Sequence, residues 1–250
     1  MTDFLILFLV GAVASAINAV AGGGSLISFP SLHLGFHLSE KVANMTNTVS
    51  LWPGSLAGAI GFLNVLKPLG RYFRLFILPT LLGAALGAWM LIQTKDALFR
   101  SVVPWLLFLA AALLLFQLKI KEFIGRGGRK LSPVLAVILQ FAVSIYGGYF
   151  GAGMGIMMLA VFTLVMDGTI HEINAVKNWL GLFINFVATL VFFGKGAIEM
   201  QTVFALSSGA IVGGFFAAKY SQKVNSDILR LTIAGYGFLA AGYFAYQSWW

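Results

Sequence analysis

Two glycine clusters carry the most readable chemistry in this chain. One is Ala21-Gly22-Gly23-Gly24-Ser25; the other is Gly151-Ala152-Gly153-Met154-Gly155. A helix that starts among glycines presents unpaired backbone N–H groups at the positive end of its dipole, and such an end favours oxyanions. Each cluster is followed by a polar turn and a segment with amides near its start. Asn44, Thr46 and Asn47 follow the first and Asn178 the second, with Ser55 and Asn185 farther along. Lys177 adds an ionisable group within an apolar segment, a functional candidate by default and a complement to an anion. Gly22, Gly23, Gly24, Ser25, Asn44, Thr46, Asn47, Gly151, Gly153, Gly155, Lys177 and Asn178 are therefore the candidate substrate-binding residues, for a small anionic substrate.

Each of these residues has a plainer role open to it. The glycines serve equally as close-packing points between helices, and Thr46 and Asn47 as caps or interhelical hydrogen-bonding groups. Lys177 falls in the first two turns of its helix, where a long stem can snorkel to the interface. His33, between Leu32 and Leu34, is either a proton relay or a packed histidine. His171 and Glu172 read as solvated or capping residues, and Tyr246, Trp249 and Trp250 as an interfacial belt.

The elements that position these groups repeat. From Gly24 to Gly155 the offset is 131 residues, and from Glu40 to Glu172 it is 132, so a single-residue gap reconciles two copies. At 60% hydrophobic and 10% charged residues, with mean hydropathy +0.93, the chain cannot cover itself in water. The apolar runs are continuous rather than alternating, which excludes a transmembrane β-barrel. Ten apolar segments emerge: 4–20, 25–36, 43–63, 72–92, 99–118, 133–150, 154–166, 174–193, 201–218 and 227–247. Segments 25–36 and 154–166 are too short to span about 30 Å of hydrocarbon at about 1.5 Å per residue. They read as half-helices or re-entrant pieces, and interrupted helices at matching places in two halves mark a transporter binding site. Gly83 to Ala88 and Gly209 to Gly214 form matching small-residue motifs for close helix approach.

Lys and Arg give the orientation. Lys67, Arg71 and Arg74, then Lys119, Lys121, Arg126, Arg129 and Lys130, then Lys219, Lys223 and Arg230 fall in three connectors that belong in the cytoplasm. The expected fold is thus an all-α polytopic membrane protein with two inverted repeats of about five segments each: 1–118, a basic cytoplasmic connector 119–130, and 131–250. The net charge of +8 suits anionic lipid headgroups and gives no nucleic-acid signal. The absence of cysteine excludes disulfides and thiol chemistry. The carboxylates sit at segment ends, where no acid–base pair at depth can form, so no enzyme and no cofactor is expected.

Gly22 to Ser25 with Pro30, Ala43-Asn44-Met45-Thr46-Asn47 and Pro53-Gly54-Ser55-Leu56-Ala57-Gly58 resemble the first repeat of the sulfite exporter TauE/SafE family of membrane permeases. Gly147-Gly148-Tyr149-Phe150-Gly151-Ala152-Gly153-Met154-Gly155 is similar to that family's second glycine motif. The resemblance implies secondary transport, usually export, of small sulfur-containing anions such as sulfite or organosulfonates across a bacterial inner membrane. Lys177-Asn178-Trp179 departs from the small residues the family tends to carry there, which reshapes and charges the pocket. An anion channel, or a non-transporting membrane protein whose glycines serve gating or packing, is the other reading, and a homo-oligomer is compatible with either. Under the inverted arrangement, single cysteines introduced beside Lys67 and Lys195 label from opposite faces of the membrane; labelling from one face contradicts it.

Overall fold

The computed structural model describes residues 2–20, 22–60, 70–126, 131–220 and 226–249. Ala21, Lys67, Arg129, Lys130, Lys223 and Trp250, all used above, lie outside them, as do the side chains of Lys121, Arg126, His171, Lys195, Lys219 and Trp249. The described chain is ten α-helices. In order they are α1 (Thr2–Val20), α2 (Ser25–Phe36), α3 (Glu40–Ile60), α4 (Gly70–Gln93), α5 (Asp96–Arg126), α6 (Pro133–Tyr149), α7 (Met154–Thr163), α8 (Ile170–Lys195), α9 (Met200–Tyr220) and α10 (Ser226–Trp249).

These helices match the ten apolar segments, with two instructive differences. α5 runs on to Arg126, through most of the basic stretch assigned to a connector, because Lys119-Ile120-Lys121-Glu122-Phe123-Ile124 contains no helix breaker; its apolar span nonetheless ends at Lys119. α7 stops at Thr163 with Leu164 as its cap, so the second short helix has 10 residues. α2 has 12, and neither crosses a bilayer. Among the described residues five helices are long and apolar enough to cross a membrane: α1, α4, α5, α8 and α9. Leu239 (76% exposed), Phe204, Val134 and Leu78 stand outward on the bundle. Such a surface belongs in lipid, and the protein is an integral membrane protein. α3 is long enough but too polar for that set: Asn44, Thr46, Asn47, Thr48 and Ser50 are all buried within the bundle.

Helix pairing follows one rule in both halves. α1 packs on α9, and α6 on α4; α3 packs on α9, and α8 on α4; α2 lies on α3 and α10, and α7 on α8 and α5. α5 meets α10 and α3 meets α8, each helix facing its own counterpart. Exchanging the two halves therefore reproduces this set of pairings. The matching glycine motifs are the contact points. A Cβ at Gly209 or Gly213 of α9 would strike the backbone carbonyls of Phe8 and Ala12 on α1, and one at Gly83 or Gly87 of α4 would strike those of Phe141 and Ile145 on α6. Backbone lies on backbone, as small residues permit between membrane helices.

Connector ends fall into two groups. At one end of the bundle Lys41 donates to the carbonyls of Ile92 (2.9 Å) and Thr94 (2.7 Å), and Glu199 N donates to Thr46 Oγ1 (3.1 Å). Glu40, 4% exposed, pairs there with Arg100 at 3.0 Å. At the other end Leu131 N reaches Leu164 O (3.0 Å) and Asp167 N reaches the Tyr72 hydroxyl (2.9 Å). His33 is a packed residue in this arrangement, against Phe244, with Nδ1 2.7 Å from Leu38 O and Nε2 3.0 Å from Gln247 Oε1.

Because the obstacle at Gly87 and Gly213 is main chain, no rotamer change relieves it. Gly87→Val or Gly213→Val is expected to lower stability by about 1–3 kcal/mol or more, the usual cost of overpacking. The check is a fall in thermal midpoint and loss of a monodisperse gel-filtration peak, against an unchanged Leu239→Val control.

Candidate functional site

The two broken helices meet between the halves. Gly22 and Gly153 occupy equivalent places in the two clusters and share a left-handed backbone, φ +82° and +78°, which a side chain would strain. That conformation turns the chain sharply from α1 into α2 and from α6 into α7. The turns bring Gly22 against Gly155: a Cβ built on Gly155 would lie 3.0 Å from Gly22 Cα and 3.4 Å from Lys177 Cδ.

α8 supplies the charge. Its start is fixed by a capping box, in which Thr169 N donates to Glu172 Oε2 (2.6 Å) and Glu172 N to Thr169 Oγ1 (3.3 Å). Lys177 follows two turns later, 3% exposed, inside the apolar span Glu172–Gly194. Its ammonium donates to the carbonyls of Asn18 (3.3 Å) and Ala19 (3.5 Å), near the end of α1. Asn174 and Asn178 donate to the same Ala19 carbonyl at 3.4 and 3.5 Å. These bonds are at the long end of the hydrogen-bonding range, so a ligand displaces them at small cost. No carboxylate among the described residues lies within ion-pair distance of Lys177. Among the described residues, what compensates the Lys177 ammonium is the negative end of the α1 dipole.

Beside Lys177 lies a cavity walled by four helices, two from each half. Ser15, Asn18 and Ala19 come from α1, and Gly54, Ser55 and Gly58 from α3. Met154, Gly155 and Met158 come from α7, and Lys177, Asn178, Gly181 and Leu182 from α8. In the first turn of α7, Met154 N reaches Gly151 O and Ile156 N reaches Gly153 O; the Gly155 N–H has no backbone partner among the described residues. The cavity thus sets a lysine ammonium, a helix-start N–H with no backbone partner among the described residues, an amide and two serine hydroxyls around one space, with Met154, Met158 and Leu182 as an apolar side. At about 30 Å³ it has room for about two waters, taking about 10–15 Å³ each.

Of the twelve residues singled out in the sequence, Gly155, Lys177 and Asn178 line the cavity, and Gly22 abuts Gly155. The others are placed elsewhere. Gly23 packs on Leu114, Gly24 on the Ala14 carbonyl, Gly153 on Ala110 and Gly151 on the Gly147 carbonyl, while Ser25 is half-buried at the start of α2. Asn44 donates to Tyr149 O (2.9 Å), closing the end of α6 as Asn174 and Asn178 close α1. Thr46 accepts from Glu199, and Asn47 is buried farther along α3. Ser15 and Asn18, three apart on α1, are the polar lining residues that the motifs do not reach; their spacing on one face was the available signal.

Residues 7–244 match the sulfite exporter TauE/SafE family. The chain belongs to that family. It is 29% identical to a probable membrane transporter protein of Haemophilus influenzae (strain ATCC 51907 / DSM 11121 / KW20 / Rd), over 98% of this chain and 95% of that protein. It is 24% identical to the probable membrane transporter protein YfcA of Escherichia coli (strain K12), over 90% of this chain and 83% of the relative. No solved structure gives a significant match. This TauE/SafE protein therefore takes its likeness to transporters from sequence, and the cavity brings Gly155, Lys177 and Asn178 together.

At about 4 Å and an effective dielectric constant of about 20, a lysine and an anion attract by roughly 4 kcal/mol before desolvation is subtracted. If the cavity holds an anion such as sulfite, Lys177→Gln is expected to weaken its binding roughly tenfold, which needs only about 1.4 kcal/mol of that to survive. Lys177→Arg loses less. Calorimetric titration at low ionic strength checks this; equal affinities for wild type and the Gln variant would remove Lys177 from the site.

Proposed function

We propose that this protein is a secondary transporter, an exporter, of small sulfur-containing anions such as sulfite or organosulfonates. The observation that carries the reading is the placement of Lys177 beside Gly155, whose N–H has no backbone partner among the described residues, in a cavity shared by both halves. A cation and a helix start acting on one space favour an anion. The serines, Asn178 and the methionine side give it hydrogen bonds and an apolar neighbour. That mixture suits an oxyanion headgroup with a small tail. The family name points the same way, and the relatives are named as probable membrane transporters rather than enzymes.

The two halves act as inverted repeats in this scheme, rocking about the cavity so that it opens to one side and then the other. Support comes from the exchanged helix pairings and from the connectors: Arg71 and Arg74 flank the end that holds Tyr72 and Asp167, opposite the turn at Thr94 and Lys95. The basic end is cytoplasmic under the charge rule. The cavity's narrowness favours a carrier that opens by moving over a standing channel. The chain carries no nucleotide-binding motif, so uphill movement draws on an ion gradient or a partner.

In proteoliposomes loaded with unlabelled sulfite, the carrier is expected to concentrate external radiolabelled sulfite by exchange, with saturable rates. Gly155→Val, which fills the crossing with Gly22, abolishes the exchange while leaving an assembled protein. Unsaturable flux without exchange would identify a channel instead, and no flux for sulfite, taurine or methanesulfonate would sink the transport of these anions altogether.

A further inference from the structure

The Lys177 cavity is one end of a longer line of buried polar groups. α3 and α8 run in opposite directions: a Cβ on Gly196 would lie 2.9 Å from Met45 Sδ, Asn185 Nδ2 donates to Ser55 Oγ at 3.2 Å, and Gly58 shares the cavity with Asn178. Asn178, Asn185 and Thr189 recur seven and four residues apart, on one face of α8. Asn47, Leu51, Ser55 and Gly58 recur four, four and three apart on α3. The register set by the Ser55–Asn185 bond then puts Thr189 level with Leu51, and Asn47 about one turn farther along α3. Asn47 is 1% exposed and Thr189 6%, and Asn47 Oδ1 and Thr189 Oγ1 have no hydrogen-bond partner among the described residues. Polar groups at that depth are satisfied by protein, by water or by a ligand. Beyond them the line reaches a second cavity, of about 220 Å³, bounded by Met45, Lys41, Asp96 and Gly196 at the opposite end of the bundle.

We propose that this α3–α8 seam is the route by which the substrate crosses. It rests on the anion-transport reading above. The Ser55–Asn185 hydrogen bond forms the constriction between the two cavities, Thr189 receives the substrate beyond it at the level of Leu51, and Asn47 receives it one turn farther on. The chemistry fits a mobile anion. Between the two cavities the stripes offer hydroxyls and amides and carry no charged group, so an anion is met by donors at each step; Lys41 at the second cavity is paired with Asp96 at 3.5 Å. Passage needs binding strong enough to enter and weak enough to leave. Lys177 alone supplies the strong point.

The protein contains no cysteine, so single cysteines can be placed without altering anything else. Asn47→Cys, Ser55→Cys and Thr189→Cys are near in size to the residues replaced. Leu190→Cys and Leu239→Cys, at lipid-facing sites 57% and 76% exposed, serve as controls. In proteoliposomes each variant, its folding verified by gel filtration, is treated with the anionic 2-sulfonatoethyl methanethiosulfonate and with its trimethylammonium counterpart. The seam positions are expected to react at least about tenfold faster than the controls, faster with the anionic reagent, and more slowly when methanesulfonate is present. Cysteines at 47 and 189 as inert as those at 190 and 239, while Lys177→Cys reacts, would show a dry seam and overturn the route. Fast reaction along the seam with no charge preference and no protection by methanesulfonate would uphold the route and remove the anion reading beneath it.

Discussion

A helix that ends inside a bilayer leaves carbonyls without partners, and hydrocarbon offers them none. This protein has two such ends, at α1 and at α6, and much of its interior is organised by what satisfies them. In each case the answer is a polar side chain near the start of a helix from the other half: Asn44 on α3 reaches Tyr149 O, while Asn174, Lys177 and Asn178 on α8 reach Asn18 and Ala19. The breaks could not sit at this depth without those donors. The polar character of α3 and α8, which costs α3 the hydropathy of a spanning helix, is the counterpart of the breaks in α1–α2 and α6–α7.

The backbone repeats more faithfully than the chemistry. Gly22 and Gly153 share a conformation, and the α1–α9 and α4–α6 contacts use equivalent glycines and carbonyls. Yet Lys177 stands in the second copy where Met45 stands in the first, at the offset of the two glutamates. One helix end is therefore closed by a neutral amide and the other by two amides and a lysine, and the cavity walled by both halves lies beside the lysine. Two similar scaffolds frame one site, and its asymmetry comes from a few side chains that differ between the copies.

Hydropathy and glycine spacing made the scaffold readable. Ten segments, two too short to span, a duplication and a lysine at depth were all visible, because burial in lipid forces long apolar runs and leaves any exception conspicuous. The family resemblance rested on the same residues, and the match over residues 7–244 agrees with it. The site was only partly readable. Gly155, Lys177 and Asn178 meet at the cavity, whereas Gly24 and Gly153 are packing points, and nothing in a glycine's identity distinguishes the two uses. The direction of an N–H and the neighbour it meets are fixed by how the halves interlock, through pairings between residues more than a hundred positions apart. Ser15 and Asn18 entered the site by the same long-range route.

The glycine contacts also divide the molecule mechanically. Where a glycine rests on a main-chain carbonyl, as α9 does on α1 and on α3 through Gly54 and Gly214, or α4 on α6, any sliding drives backbone into backbone. Those helices travel as blocks. α8 is held differently: its one glycine at the cavity, Gly181, has only the end of the Met154 side chain within reach, at 3.8 Å, and Gly194 has open space. Side chains can re-pack where carbonyls cannot, so shear between packed helices meets less resistance around α8 than between the glycine-locked pairs. The helix that carries Lys177 is thus not among those locked backbone to backbone.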